Sequence, residues 1–237
     1  SNGSTVIQTA GDVDVGAVSI GRTTHIQSDA KNYNHSSYRT DVGSQIAGEG
    51  GVYLTGQNIQ ITGSEISSVS GTAAISAQQD LKITEGRSEQ TVEARNIETG
   101  GSAFSKKTSD LYYKTQRNEA VASTIEGNKV ILDGNNVSIR GSNVISDDLT
   151  QIQAKENISI TAAENQYGKV SESTVKKSGF TASASDGVAS VGYGKSNVHS
   201  KDDTQSTDLT QSAVSSLFGN VNIVAGNDLT AEAAILA

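Results

Sequence analysis

The sequence predicts an all-β chain wound as a parallel β-helix. Three observations carry that expectation: a composition poor in large apolar residues, a pattern that repeats itself, and an aliphatic cadence of seven residues. The 237 residues include no Pro, Cys, Met or Trp and only 4% aromatics, against 24 Gly, 33 Ser and 22 Thr. Helical and doubly wound cores draw most of their buried area from large apolar side chains, so those classes are excluded first. Only 34% of the chain is hydrophobic, and its larger apolar residues are mainly Val and Ile, which with Thr fit a pleated, half-buried surface.

The repeat begins with GQNIQITGSEISS at 56–68 and GNNVSIRGSNVIS at 134–146. QQDLKIT, ending at Thr84, and KENISIT, ending at Thr161, follow the two copies, and GNVNIVAGNDLTAEA at 219–233 continues a third. Upstream, Val42, Ile46 and Val52 line up with Val121, Ile125 and Val130, and these with Val214, Leu217 and Val221. The copies span 42–86, 121–164 and 214–235, offset by roughly 80 to 90 residues, beyond the period of ordinary short repeats.

Within a copy, Val52, Ile59 and Ile66 stand seven apart, as do Val130, Val137 and Val144. Each step holds a strand of about four residues and a Gly/Asn/Ser turn. Apolar and polar residues alternate in Ile59-Gln60-Ile61-Thr62 and in Ile158-Ser159-Ile160-Thr161. A coiled coil would need sustained helical seams, which the recurring Gly and Asn forbid. Ile59 and Leu81 are separated by 22 residues and Val137 and Ile158 by 21. Three short strands per turn therefore give triangular coils of about 20 residues, stacked roughly 4.8 Å apart. Proline is absent because interior strands need every N–H.

Asn58, Asp80, Asn136 and Asn157 precede equivalent strands, and Asn227 and Asp228 precede the last one. Stacked amides at a corner hydrogen-bond in a ladder and tolerate a left-handed turn, so these residues are assigned a structural role. Three polar excursions interrupt the coils, at about 22–40, 87–120 and 166–212. In the third, alternating residues flank Asp186-Gly187, a hairpin signal. In the second, 103–105 and 111–113 flank Lys106 to Asp110 as a further arm. These hairpins are expected to pack on the coil or project from it.

A net charge of -8, a pI near 4.9 and no evident basic stripe make nucleic acid and anionic membranes poor partners. No run of 18 apolar residues suits a membrane span, and no charged-then-apolar leader stands at the start. Without Cys, disulfides and thiolate metal sites are excluded. The absence of Met and the opening Ser1-Asn2 read as marks of an excised fragment. A stack cut from a longer one exposes unpaired strand edges, so end-to-end self-association is expected unless 1–19 or 232–237 caps it.

Chemistry-bearing patterns are sparse, and no catalytic, metal or cofactor residue is assigned. His25, His35 and His199 lack metal-pair spacing, and Asp147-Asp148 and Asp202-Asp203 lack a calcium-repeat context. Lys82 and Arg140 occupy like positions in separate copies without matched carboxylates, which speaks against a polysaccharide-cleaving β-helix. The sequons at Asn136 and Asn157 fall inside the strand-entry pattern. Phe104, Tyr112, Tyr113, Phe180 and Tyr193 are the candidate receptor contacts, because amphipathic rings dominate interface energetics. The alternative is that these rings cover the apolar side of the coil.

Taken together, GNNVSIRGSNVIS, KENISITAAEN and LTQSAVSSLFGNVNIVAGNDLT, with inserts such as SESTVKKSGFTAS, resemble the haemagglutinin repeats of filamentous haemagglutinin and of CdiA-type contact-dependent growth inhibition exoproteins. The resemblance implies a right-handed, non-catalytic β-helical stalk outside a Gram-negative cell. It also implies export through an outer-membrane transporter of two-partner secretion, and use in adhesion or in carrying a C-terminal toxin to a target cell. A receptor- or glycan-binding adhesin acting through the excursions is the second reading, and a carbohydrate-active enzyme the third.

Overall fold

The computed structural model describes residues 3–185 and 187–237. These are almost wholly β, with no helix among them. The first strands are β1 (Ser4–Gln8), β2 (Val13–Val15), β3 (Ala17–Asp29), β4 (Asn32–Gly43), β5 (Gln45–Gly48), β6 (Gly51–Gly56) and β7 (Ile59–Thr62). Next come β8 (Glu65–Ala77), β9 (Asp80–Thr84), β10 (Gly86–Ser102), β11 (Ser105–Val121), β12 (Thr124–Gly134) and β13 (Asn136–Arg140). The last are β14 (Asn143–Ala154), β15 (Ile158–Thr161), β16 (Ala163–Ser185), β17 (Val188–Thr210), β18 (Ser212–Ser216), β19 (Asn220–Ala225), β20 (Leu229–Glu232) and β21 (Ala234–Leu236).

Two sheets are parallel throughout. One runs β1-β6-β8-β12-β14-β18-β21, with β5 beside β8 and β19 beside β14; the other runs β2-β7-β9-β13-β15-β20. The chain alternates between them and advances one strand position at each pass, so each pass is a layer, six of them by the second sheet. Long strands of the first sheet bend midway: the β8/β12 register shifts between Gly127 and Lys129. Each layer thus holds two strand stations in the first sheet and one in the second, an arrangement consistent with a parallel β-helix.

The alternating strands explain the core. In Ile59-Gln60-Ile61-Thr62 both isoleucines are buried and the polar residues are not. Val13, Ile59, Leu81, Val137 and Ile158 stack in register through the second sheet. Ile66, Ile125, Val144 and Val214 do the same in the first. Each such side chain contributes roughly 1.5–3 kcal/mol on burial. Thr150 stands between Val130 and Val221 in a neighbouring column, fully buried, and its hydroxyl donates to the Ser215 carbonyl at 2.8 Å.

Val214 is displaced from its expected place. It stands with Val144, and so with Ile125 and Ile46, rather than with Val121 and Val42. Those two belong to β11 and β4, outside the parallel layers. Lys82 likewise pairs with Ser138, and Arg140 with Thr84, so the two basic residues are not equivalent.

Hairpins leave from one corner, between the second sheet and the next strand of the first. They do so after β2, β9 and β15, in every second layer. The intervening corners, after β7, β13 and β20, turn tightly through a left-handed residue: Gly63 and Gly141 at φ 53° and Ala233 at φ 47°. The six hairpin strands join into a single antiparallel sheet, β17-β16-β11-β10-β4-β3. Strand spacing explains the alternation. A hairpin is two strands wide and each layer is one strand thick, both at about 4.8 Å, so one hairpin per two layers keeps the two stacks in step. The excursions are therefore not separate arms.

One turn and one boundary also differ from expectation. The second hairpin turns at Ala103-Phe104, and Lys106 to Asp110 lie inside β11, where no glycine interrupts pairing. Ser212 belongs to the parallel stack rather than to the third excursion. In that third hairpin Ser185 pairs with Val188 and Gly187 has φ 78°; Asp186 lies outside the described residues, as do Ser1 and Asn2. The stack begins and ends in strand edges, β1 and β2 at one end and β20 and β21 at the other.

Candidate functional site

At the corner entering the second sheet, the side chains of five residues and the backbone N–H of a sixth, one residue per layer, join a continuous ladder. The Asp12 carboxylate accepts from Asn58 N (3.1 Å) and Nδ2 (2.9 Å), and Asn58 Oδ1 accepts from Asp80 N at 3.3 Å. Asn136 Nδ2 donates to Asp80 Oδ1 at 3.1 Å. Asn136 Oδ1 in turn accepts from Asn157 N (3.3 Å) and Nδ2 (3.1 Å), and Asn157 Oδ1 accepts from Asp228 N at 3.3 Å. Asn227 stands one residue off, bonding through its backbone N–H to the Glu156 carbonyl at 2.7 Å. Asp12 was not among the expected members, although it precedes Val13 as Asn58 precedes Ile59. None of these residues has a left-handed backbone; among described non-glycine residues only Ala233 does.

A second set of contacts closes the corner from which hairpins leave. The side chain of Glu85, 1% exposed, bridges Arg87 at 2.7 Å and Arg140 at 3.0 Å. Arg87 also donates to the Glu164 carbonyl at 2.6 Å. The cluster joins the roots of the second and third hairpins to the layer between them.

Register assigns every side chain of the antiparallel sheet to a face. Tyr33, Arg95, Tyr112 and Glu172 are direct cross-strand neighbours on one side. Arg95 grips Asp110 through two hydrogen bonds, 3.0 and 2.7 Å, and holds its carboxyl below the usual range. The Tyr33 hydroxyl donates to Glu93 at 3.0 Å. Burial, reinforced by Glu93, raises the pKa of Tyr33, and burial with the charges of Glu93 and Glu172 raises that of Tyr112. Pairing also sets His25 opposite His35 with ring centroids 4.5 Å apart, a meeting that their spacing in sequence did not foretell.

The five candidate contact residues do not form one patch. Tyr112 and Tyr113 sit midway along the sheet on opposite faces, opposite Arg95 and Ala94 respectively. Phe104, Phe180 and Tyr193 meet at its outer end. There the Phe180 N–H donates to the Phe104 carbonyl at 2.9 Å, and the Phe180 and Tyr193 rings lie edge to face with centroids 5.2 Å apart. All three are exposed, at 71, 58 and 56%, so they do not cover the coil.

Five lysines stand at this end: Lys106, Lys176 and Lys195 on the face of the Phe180 and Tyr193 rings, and Lys107 and Lys177 on the other. Lys107 and Lys177 are paired directly across two strands, where like charges repel. None of the five makes a salt bridge among the described residues, and Lys195 lies 5.7 Å from the Tyr193 ring centre. An overall charge of -8 therefore conceals a basic band that no contiguous stretch of sequence displays. Hairpin length places this band: the strand pairs have 13 and 12, then 17 and 17, then 23 and 23 residues, so the third hairpin reaches beyond the other two. Among the described residues no group of three His, Asp or Glu side chains is placed to hold a metal.

Comparison with known proteins completes the description. The family described as "Hemagglutinin repeat" matches residues 24–109 and 104–237. A "Toxin CdiA" of Yersinia pestis is 32% identical over 111 residues, covering 47% of this chain and 3% of the relative. A "Deoxyribonuclease CdiA" of Yersinia pseudotuberculosis serotype O:3 (strain YPIII) is 30% identical over 106 residues, covering 45% of this chain and 10% of the relative. A "tRNA nuclease CdiA" of Escherichia coli (strain STEC_O31) is 24% identical over 161 residues, covering 66% and 5%. The chain thus spans at most a tenth of the length of these three relatives. No solved structure matches.

Proposed function

Because the chain belongs to the haemagglutinin-repeat family, we propose that it is a non-catalytic stalk segment of a large exoprotein, displayed at the surface of a Gram-negative bacterium and used in adhesion or contact-dependent toxin delivery. The stalk is a right-handed parallel β-helix. An outer-membrane transporter of two-partner secretion exports it, and interlayer hydrogen bonding with the Val/Ile column makes it stiff. The relatives' nuclease and toxin names describe whole proteins of which this region matches only a small part, so the toxic activity is assigned to other regions of such a chain.

One observation carries the reading: stacked layers that bury an aliphatic column, matched by the repeat family along nearly the whole chain. The exposed strand edges at both ends support stacking against further layers or, for an isolated segment, against a second copy.

A second reading rests on the lysine and aromatic end of the antiparallel sheet, where a receptor or target-cell surface makes contact. Replacing 178–194 by a tight turn separates the two. Target-cell binding that survives this shortening with the layers intact assigns the segment to the stalk alone; binding that is lost assigns contact to that end. Hydrolysis of an acidic polysaccharide by the purified chain would contradict both.

A further inference from the structure

The hairpin sheet ends, as the parallel layers do, in two strand edges: β3 on one side and β17 on the other. Natural edges are commonly interrupted by a proline or a bulge, which deters pairing with another chain. Neither edge carries proline, and β3 is regular from Ala17 to Gln27. The two stacks also finish in step. Hairpins leave after β2, β9 and β15, the first, third and fifth strands of the second sheet, while β20, the sixth, is followed by the tight turn at Ala233. A seventh layer is therefore due a hairpin, and a second copy set on β20 supplies one after its own β2. Direction agrees as well. β4 and β11 return toward the layers and pair with the outgoing β10 and β16; β17 also returns, and the β3 of a second copy is outgoing.

The hairpin necks fix the register. Ser44, Ser123 and Ser212 close them on the carbonyls of Gly16, Thr84 and Thr161. Thr40 lies four residues before Ser44 and pairs with Ser88, four after Thr84; Asn118 lies five before Ser123 and pairs with Gln166, five after Thr161. The same count, taken back from Ser212 and forward from Gly16 of a second copy, sets Asp208 opposite Ile20, Gln205 opposite Thr23 and Asp203 opposite His25. Direct partners share a face and diagonal neighbours lie within reach, so Asp203 meets His25 and Asp208 lies beside Arg22. Neither Asp203 nor Arg22 makes a salt bridge among the described residues. An acidic edge thus faces a basic one.

We propose that β17 takes the β3 edge of a second copy in this antiparallel register while β20 receives its β2, so that layers and hairpin sheet both run unbroken from one molecule into the next. This rests on the layer stacking put forward above and adds the hairpin seam, which a tail-to-tail or rotated stack would not form. The two surfaces differ, so the contact is heterologous and continues past a dimer into a filament.

The test mixes single-cysteine variants of the full 237-residue chain under a mild oxidant, where each covalent product is a dimer. Gln205→Cys with Thr23→Cys is expected to crosslink across the hairpin seam. Thr230→Cys with Asp14→Cys should do so across the layer seam, where Leu229 continues the column that Val13 begins. Gln205→Cys with Thr24→Cys, on opposite faces, and each variant alone should remain monomeric on a non-reducing gel. In sedimentation velocity, Asp203→Lys with Asp208→Lys should raise the concentration for half-association at least tenfold without lowering the melting temperature, because both side chains are exposed. Crosslinking at Thr230 and Asp14 without Gln205 and Thr23 would overturn the proposal and leave layer stacking standing, and crosslinking at neither seam would overturn both. Crosslinking at the hairpin seam alone, equal yield in the mismatched pair, or unaltered association of the charge-reversed variant would also overturn the proposal.

Discussion

The Ser123 hydroxyl donates to the Thr84 carbonyl at 2.7 Å across 39 residues of sequence. Ser44 makes the same bond to Gly16 at 2.7 Å and Ser212 to Thr161 at 2.6 Å, each closing the neck of a hairpin. Where no hairpin leaves, Ser64 reaches Thr62 and Ser142 reaches Arg140, both at 2.8 Å and two residues back. One corner geometry thus accepts either a tight turn or a long excursion, which lets the parallel layers continue undisturbed while the hairpins build a second sheet beside them.

Ser123 is fully buried, so Ser123→Ala leaves the Thr84 carbonyl without that donor. A loss of about 1–3 kcal/mol in urea unfolding is expected. Amide exchange should rise first around 119–121, at the root of the second hairpin.

The Asn136 side chain bonds both neighbouring layers, whereas Asn227 joins its neighbour through its backbone. Asn136→Leu is expected to destabilise the chain by about 1–2 kcal/mol, and Asn227→Ala by less than about 0.5 kcal/mol. Equal losses in thermal unfolding would show that side-chain stacking at this corner contributes nothing.

Gly141 combines φ 53° with a position where an added Cβ would lie 2.4 Å from that of Ala163. Gly141→Ala should therefore cost more than the roughly 1–2 kcal/mol of a left-handed L-residue alone. Ala233 already bears that strain at φ 47°, and Ala233→Gly should be neutral or stabilise by at most about 1 kcal/mol. Thermal melts of the two variants check the opposite signs.

Much of the parallel stack was legible because most inward positions are aliphatic, as Ile59, Ile61 and Ile66 are, and the ladder corners polar. The fused sheet was not. Pairing of β4 with β10 and of β11 with β16 follows from layer spacing, and polar strands such as 164–178 carry no local period that announces it. The basic band was hidden for the same reason: Lys106, Lys176 and Lys195 come from three strands. Ser44, Ser64, Ser123, Ser142 and Ser212 had a readable signal, a serine two residues before the Ile or Val that opens each layer.

The antiparallel sheet should also be acid-sensitive. Arg95 lowers the pKa of Asp110, and the Ser19 hydroxyl, followed by the Arg87 N–H, lowers that of Asp41. A depressed folded value means the stabilisation is fully present above the ordinary carboxylate value of 3.8 and is lost as pH falls through the lower folded one. Amide exchange in β4, β10 and β11 should accelerate in that window. The Asp41→Asn, Asp110→Asn double variant should show a flatter acid limb.

Cysteine pairing tests the central claim, that separate excursions merge into one sheet, and the absence of native Cys makes the readout clean. Ser37 lies opposite Thr91, and Lys114 opposite Val170, at the 4.5–5.5 Å separation typical of such pairs, which a disulfide spans. Ser37→Cys with Thr91→Cys, and Lys114→Cys with Val170→Cys, should each oxidise to an intramolecular disulfide in the monomer, while Ser37→Cys with Val92→Cys, on opposite faces, should not. Free thiols in both matched pairs, or equal crosslinking in the mismatched one, would contradict the account.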